Sequence, residues 1–265
     1  MYITAYVTDF GFVKQLSSIY WSTGGGNPAL TPLYTPVENP GGNTTTNAYS
    51  SASRKGPDRV QNLYDYFRCF TNAAGTNYKY TIKVCVDQPI INSRSPWAFS
   101  KYAAPASSSG VNPVNVGHTF LILTEETPNG VTTRNIGYYP ESNVTPADPI
   151  APCELNNNEG YHGYDISVTA TVTNSQFFNL IYFMQANYET GRTMYDLNTN
   201  NCTSFAIRCS AAAGITLPQT VGKWPGGSGL NPGDLAEDLR GMALTSNMTR
   251  STDGIAHPNR GNCVY

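Results

Sequence analysis

The chain has 265 residues, a formal charge of −2 and a pI near 5.9. Charged residues are only 13 %, against about 25 % in an ordinary soluble domain, and the near-neutral charge and pI argue against a nucleic-acid binder, which would show a basic face. Aromatics at 12 % exclude wholesale disorder, the length suits one large domain or two small ones, and no window holds the ~18 apolar residues of a membrane span.

The polar bulk is Asn, Thr, Ser, Gly and Tyr, with 26 Asn against six Lys. That profile is common in exported proteins. Residues 1–14 lack a basic start followed by an apolar run, so the expectation is a chain without a Sec signal. It is delivered outside the producing cell by another route, or is cytoplasmic. The cysteines are Cys69, Cys85, Cys153, Cys202, Cys209 and Cys263. Their even count allows three disulfides without requiring them, and the absence of any CxxC pair argues against a structural zinc.

Residues 1–57 read as an N-terminal strand (Met1 to Phe12, by alternation) followed by a polar arm or linker, with loop signals at 24–28 and 40–43. Residues 58–265 carry the firmer pattern. Asp58 caps an expected helix from Arg59 to Thr71, with Val60, Leu63, Tyr64 and Phe67 on one stripe. Tyr78 to Val86 alternates as a strand, residues 95–113 form a loop, and Val116 to Leu123 is a second strand. Pro128-Asn129-Gly130 signals a hairpin turn with Asn129-Gly130 at its centre, and Val131 to Tyr139 returns as the partner. Tyr164 to Val172 alternates again, and Ser175 opens a helix through Phe177, Phe178, Leu180, Ile181 and Met184.

The sharpest feature is the polar loop Asp196 to Asn201 running straight into a helix from Cys202 to a stop at Gly214. Cys202 stands in the first helical turn, where unpaired N–H groups and the positive dipole end favour a thiolate. Cys209 lies two turns on, at core spacing. A nucleophilic thiol needs a base, and the histidines are His118, His162 and His257. His162 sits in a loop-like Gly-Tyr-His-Gly setting and His257 near the tail. His118 opens a strand after Gly117, which leaves room for a substrate.

Gly117-His118-Thr119-Phe120-Leu121 together with Asn201-Cys202-Thr203-Ser204-Phe205-Ala206 resembles the circularly permuted papain-like (NlpC/P60-like) hydrolases, with the His strand 84 positions before the Cys helix. The surroundings, Asp58 to Phe67 and Gly137-Tyr138-Tyr139-Pro140, are also similar to uncharacterised exported proteins of Bacteroidetes type, which carry no known activity. The first resemblance implies an α+β fold with a small antiparallel sheet packed against the Cys-bearing helix. It implies that Cys202 attacks an amide or ester carbonyl while His118 carries the proton. The Cys202 N–H would contribute to an oxyanion hole, and Asn200 or Asn201 could add a side-chain donor; loop and cap chemistry is the alternative for both.

The third member of such a site follows His on the next strand. With Asn129-Gly130 as turn residues, His118 faces Glu141; a one-residue slip brings Pro140 or Ser142 opposite instead, and Asn135 and Tyr139 are fallbacks. Trp224, in the Gly-rich stretch Lys223 to Gly229, lines a substrate groove or lids the core. That stretch is not a P-loop, since it lacks the GK[ST] ending. Asn231 caps a last helix with Pro232 at its first position.

These features define an expected cysteine hydrolase acting on an amide bond, in a cell-wall peptide (peptidoglycan) or a protein, and a secreted bacterial toxin or effector. No cofactor, metal or nucleic acid enters, and an immunity or inhibitor protein is the expected partner. The rivals are an acyltransferase or thioesterase using the same Cys-His pair, and a non-catalytic binding module.

Overall fold

A computed structural model describes residues 5–9, 12–16, 59–73, 75, 77–99, 113–142, 144–157, 162–188 and 192–261. The expected loop signals at 24–28 and 40–43, the Asp58 cap and Cys263 lie outside them. In chain order the elements are β1 (Ala5–Asp9), β2 (Phe12–Leu16), α1 (Leu63–Phe67), β3 (Lys79–Asp87), β4 (Ala98–Phe99), β5 (Pro113–Asn115), β6 (His118–Thr127), β7 (Gly130–Pro140), β8 (Ile150–Asn156), β9 (Gly163–Val172), α2 (Asn174–Asn187), β10 (Met194–Asp196), α3 (Cys202–Ala212), β11 (Gly222–Trp224), β12 (Gly227–Gly229), α4 (Pro232–Gly241) and β13 (Met248–Ile255).

The class is α+β, as expected, but the main sheet is not small. Seven strands run in the order β10-β8-β7-β6-β3-β9-β13, with every neighbouring pair antiparallel. Strands β8, β10 and β13 were not expected. A second sheet, β2-β1-β5-β4, joins the N-terminal strands to a parallel partner at Pro113–Asn115. None of the helices among the described residues is long and apolar enough to cross a membrane.

Alternation along the strands sorts the sheet into two faces. Val84, Val86, Leu121, Leu123, Ile136, Tyr138, Ile166 and Val168 point one way and pack with residues of all four helices in one apolar core. Cys85, Phe120 and Ile122 point the other way, in a smaller cluster with Tyr164 and Ala256. At about 25 cal/mol per Å² of apolar surface removed from water, the helix face carries most of the driving force.

Helix α1 is shorter than the expected 59–71. Its cap is Asn62, whose Oδ1 accepts from the N–H groups of Tyr64 and Asp65. The residues before it are held by β8, with Arg59 bridging Asn156 and Val60 N–H donating to the Leu155 carbonyl. Ladder hydrogen bonds there replace a first helical turn. Helix α2 starts on a capping box formed by Thr173 and Gln176. Helix α4 has Asn231 as cap and Pro232 inside its first turn, as read from the sequence.

Candidate active site

The Asp196 to Asn200 loop is locked before the helix begins. Asp196 accepts from the Asn198 N–H and the Thr199 hydroxyl, each at 2.8 Å. Asn201 then caps α3: its Oδ1 accepts from the N–H groups of Thr203 and Ser204, both at 3.0 Å, while its own N–H donates to Ser204 Oγ. Cys202 is therefore the first residue of α3, a thiol with 5 % of its surface exposed. The N–H of a first helical residue has no acceptor inside its helix. At the far end Gly214, with φ +75°, closes the helix; the N–H groups of Gly214 and Ile215 return to the carbonyls of Ala211 and Ser210.

Aromatic packing fixes α3 on the sheet. Tyr138 of β7 stacks on Phe205 at 5.1 Å, and Tyr188 meets Phe205 edge-on at 4.8 Å. Burial holds the Tyr138 and Tyr188 phenols above their ordinary pKa, so both stay neutral hydrogen-bonding groups. Cys209, wholly buried in the core, has its thiol pushed well up by desolvation. It is an inert packing residue, as its helical spacing suggests.

His118 is the first residue of β6 and is fully buried. Gly117 before it has φ +69°, and a Cβ there would collide with the Asp87 carbonyl and meet Pro232 Cβ at 3.0 Å. The strand thus enters the sheet pressed between the end of β3 and the start of α4. One residue further on, the hydroxyls of Thr119 and Thr203 lie 3.0 Å apart, and Thr203 Oγ1 is 4.0 Å from Cys202 Sγ. His118 and Cys202 are the residues immediately before the two that touch. The structure brings the His strand and the Cys helix together at one rim of the sheet.

Thr119 projects to the helix face; the His118 ring packs in the opposite row. It stacks on Tyr139 at 4.4 Å, on His162 at 5.7 Å and on Phe120 at 5.9 Å. In the ladder Asp87 stands opposite His118. His162 Nε2 lies 3.6 Å from Asp87 Oδ2.

Glu141 is not opposite His118. The hairpin closes at Thr127↔Gly130, so Pro128-Asn129 are the turn residues, and Phe120 pairs with Gly137. Every partner shifts by two residues, which leaves Tyr139 at the level of His118. The Thr127 hydroxyl holds this turn, accepting from the Asn129 N–H and donating to the Gly130 carbonyl. Glu141 instead binds Arg59 at 2.8 Å.

The two asparagine amides are committed inside the protein. Asn200 Nδ2 donates to Tyr138 Oη and the Met194 carbonyl, and its Oδ1 accepts from Arg208. Asn201 Nδ2 donates to the carbonyls of Leu197 and Leu230. They act as strut and cap, and in this arrangement neither side chain offers an N–H to a substrate. Trp224 ends β11, in the hairpin β11-β12. A Cβ on Gly229 would sit 3.1 Å from Trp224 Cη2 and collide with the Asn198 carbonyl. The half-buried indole therefore stands against the loop that leads into Cys202.

Cys69 is disulfide-bonded, whereas Cys85, Cys153, Cys202 and Cys209 are thiols. The three disulfides that the count allowed do not form. Asp87 and His162 were not among the expected site residues. Asp87 ends an alternating strand and His162 sits in a loop-like setting; the β3–β6 register brings Asp87 to His118, and the β3–β9 pairing brings His162, just before β9, to the same end of the sheet.

No family model matches the chain, and no curated protein matches it. A search of solved structures returned the crystal structure of the type VI secretion system effector TseH, at 15 % identity and a TM-score of 0.30, covering 63 % of this chain and 90 % of that one. Similarity this low assigns neither fold family nor activity to the chain.

Proposed function

We propose that this chain is a cysteine hydrolase of the permuted papain-like kind, with Cys202 as nucleophile and His118 as its base. The observation that supports this best is the 3.0 Å contact between Thr119 and Thr203, the residues that follow His118 and Cys202 in their elements. In this reading Cys202 Sγ attacks an amide carbonyl and His118 accepts the thiol proton. The tetrahedral intermediate collapses to a thioester as His118 returns that proton to the leaving amine. Water then cleaves the thioester, with His118 again as base, and the acid departs. Charge developing on the carbonyl oxygen is met by the Cys202 N–H at the positive end of α3, a kind of donor worth about 3–4 kcal/mol in other enzymes. Trp224, against the loop before Cys202, is the substrate wall.

The substrate class is a peptide amide, in cell-wall peptidoglycan or a protein. The Asn-rich, Lys-poor composition supports delivery outside the producing cell as an effector, with an immunity protein as partner. Glu141, held by Arg59, has no part in the reading. The test is the rate of iodoacetamide alkylation of Cys202 against pH, in the wild type and in His118→Ala. Labelling that persists near pH ~6 and falls in the variant supports a His-activated thiolate, since an ordinary thiol has a pKa of about 8.5. Slow labelling with the same ordinary profile in both proteins overturns the dyad and leaves a binding module.

A further inference from the structure

The His118 rim holds a second polar pair that the proposed chemistry does not use. Asp87, last residue of β3, faces His118 across the ladder. Its carboxylate is 3.6 Å from His162 Nε2, and the His162 ring is nearly parallel to His118, with 6° between planes at 5.7 Å. Phe120 lies 4.9 Å from His162 at 20°, so the three rings share one orientation.

Each part of this pair is separately anchored. The His162 carbonyl accepts from the Ala256 N–H at 2.8 Å. The neighbouring carboxylate, Asp165, is occupied by the Gln88 N–H at 2.6 Å. Gln88 in turn is clamped by α4, donating to Glu237 and accepting from Arg240. The Asp87 carboxylate faces His162 Nε2 from the end of β3. Gly117, packed on the Asp87 carbonyl, fixes the distance between the two strand ends.

We propose that Asp87 and His162 are positioning residues for His118: Asp87 holds the His162 ring, and that ring sets the plane of the His118 imidazole. This deepens the proposed function and rests on it. A base must meet its proton within a few tenths of an ångström, and misplacement by about 1 Å can cost a hundredfold in rate. Tyr139 stacks on the same imidazole, so the His118 ring is held by packing from both β7 and the segment before β9.

The test is the alkylation rate of Cys202 in His118→Ala, Asp87→Asn, His162→Ala and His162→Phe, with His118 ring signals followed by NMR. Asp87→Asn and His162→Ala should each slow alkylation about tenfold to a hundredfold. His162→Phe keeps a flat ring and should recover part of what His162→Ala loses. In the His162→Phe background, Asp87→Asn should cost nothing further, because Asp87 acts through His162. Wild-type rates in Asp87→Asn and His162→Ala, alongside a slow His118→Ala, overturn the positioning role and leave the dyad standing. If His118→Ala alkylates as fast as wild type, the dyad fails, and the NMR decides the positioning role alone. His118 ring signals that lose their Tyr139 ring-current shift in Asp87→Asn support it, and unmoved signals overturn it.

Discussion

The contact between Thr119 and Thr203 makes a sharp prediction, because both residues are buried, at 0 % and 1 % exposure. Thr203→Val keeps the shape and leaves the Thr119 hydroxyl buried without its partner 3.0 Å away. Stranding such a group costs about 1–3 kcal/mol, whereas replacing both partners by apolar isosteres is nearly neutral. Each single Thr→Val variant should therefore lose about 1–3 kcal/mol, and the double variant no more than the worse single. In a chain of this size 1 kcal/mol moves Tm by roughly 2–4 °C. Urea unfolding with an unchanged slope gives the energies, and the double-mutant cycle gives the coupling. Additive losses would show that strand and helix are not joined through these hydroxyls, and would remove the observation on which the candidate site rests.

Two further outcomes follow from the same neighbourhood and from the far end of the sheet. Asn201→Ala removes the α3 cap and both Nδ2 struts, so it should cost at least the 1–2 kcal/mol of a lost cap and change Cys202 alkylation; Asn201→Asp, which keeps the capping oxygen, should lose less, and equal losses would refute the cap. Glu125 is buried against Thr71 and Tyr80, and burial raises its carboxyl above the ordinary range. Its proton is then held more tightly by the folded chain than by the unfolded one, so its contribution to stability is full below the unfolded value and is lost as pH rises through the folded one. Stability curves for wild type and Glu125→Gln should diverge across that window, and parallel curves would refute the assignment.

The legible parts of the fold were those governed by local chemistry. The loop into α3, its stop at Gly214 and the Asn231-Pro232 start of α4 all follow from caps and dipoles, which act over a few residues. Strands β3, β6, β7 and β9 follow from alternation. Strands β8 and β13 hid for different reasons. In β8, Pro152 and the run Cys153 to Asn156, buried on both faces, break the alternating pattern. In β13 the residues are mostly polar and most are exposed, as suits a sheet edge. Register is the weakest inference: the turn takes Pro128-Asn129, where Thr127 Oγ1 bonds the Asn129 N–H and the Gly130 carbonyl, and the two-residue shift moves Glu141 away from His118. The Asp87–His162 pair was out of reach for the same cause, since it joins chain positions 75 apart through pairings that no local signal encodes.

The two faces of the sheet divide the work of the molecule. On the helix face large apolar side chains interlock, with Tyr138 stacked on Phe205 of α3, and that packing seats the helix on the sheet. On the other face, polar residues stay buried near the β6 start: His118, Asp165 and Glu154 expose 1 % or less. Burying such groups costs free energy unless each finds a partner, as Asp165 does in the Gln88 N–H and Glu154 in the Asn156 amide. A rim where an anchored helix start meets a strand that opens with a buried histidine combines the rigidity of the first face with the polarity of the second. For the proposed hydrolase, that combination would keep the Cys202 nucleophile still and hold the ring of its base.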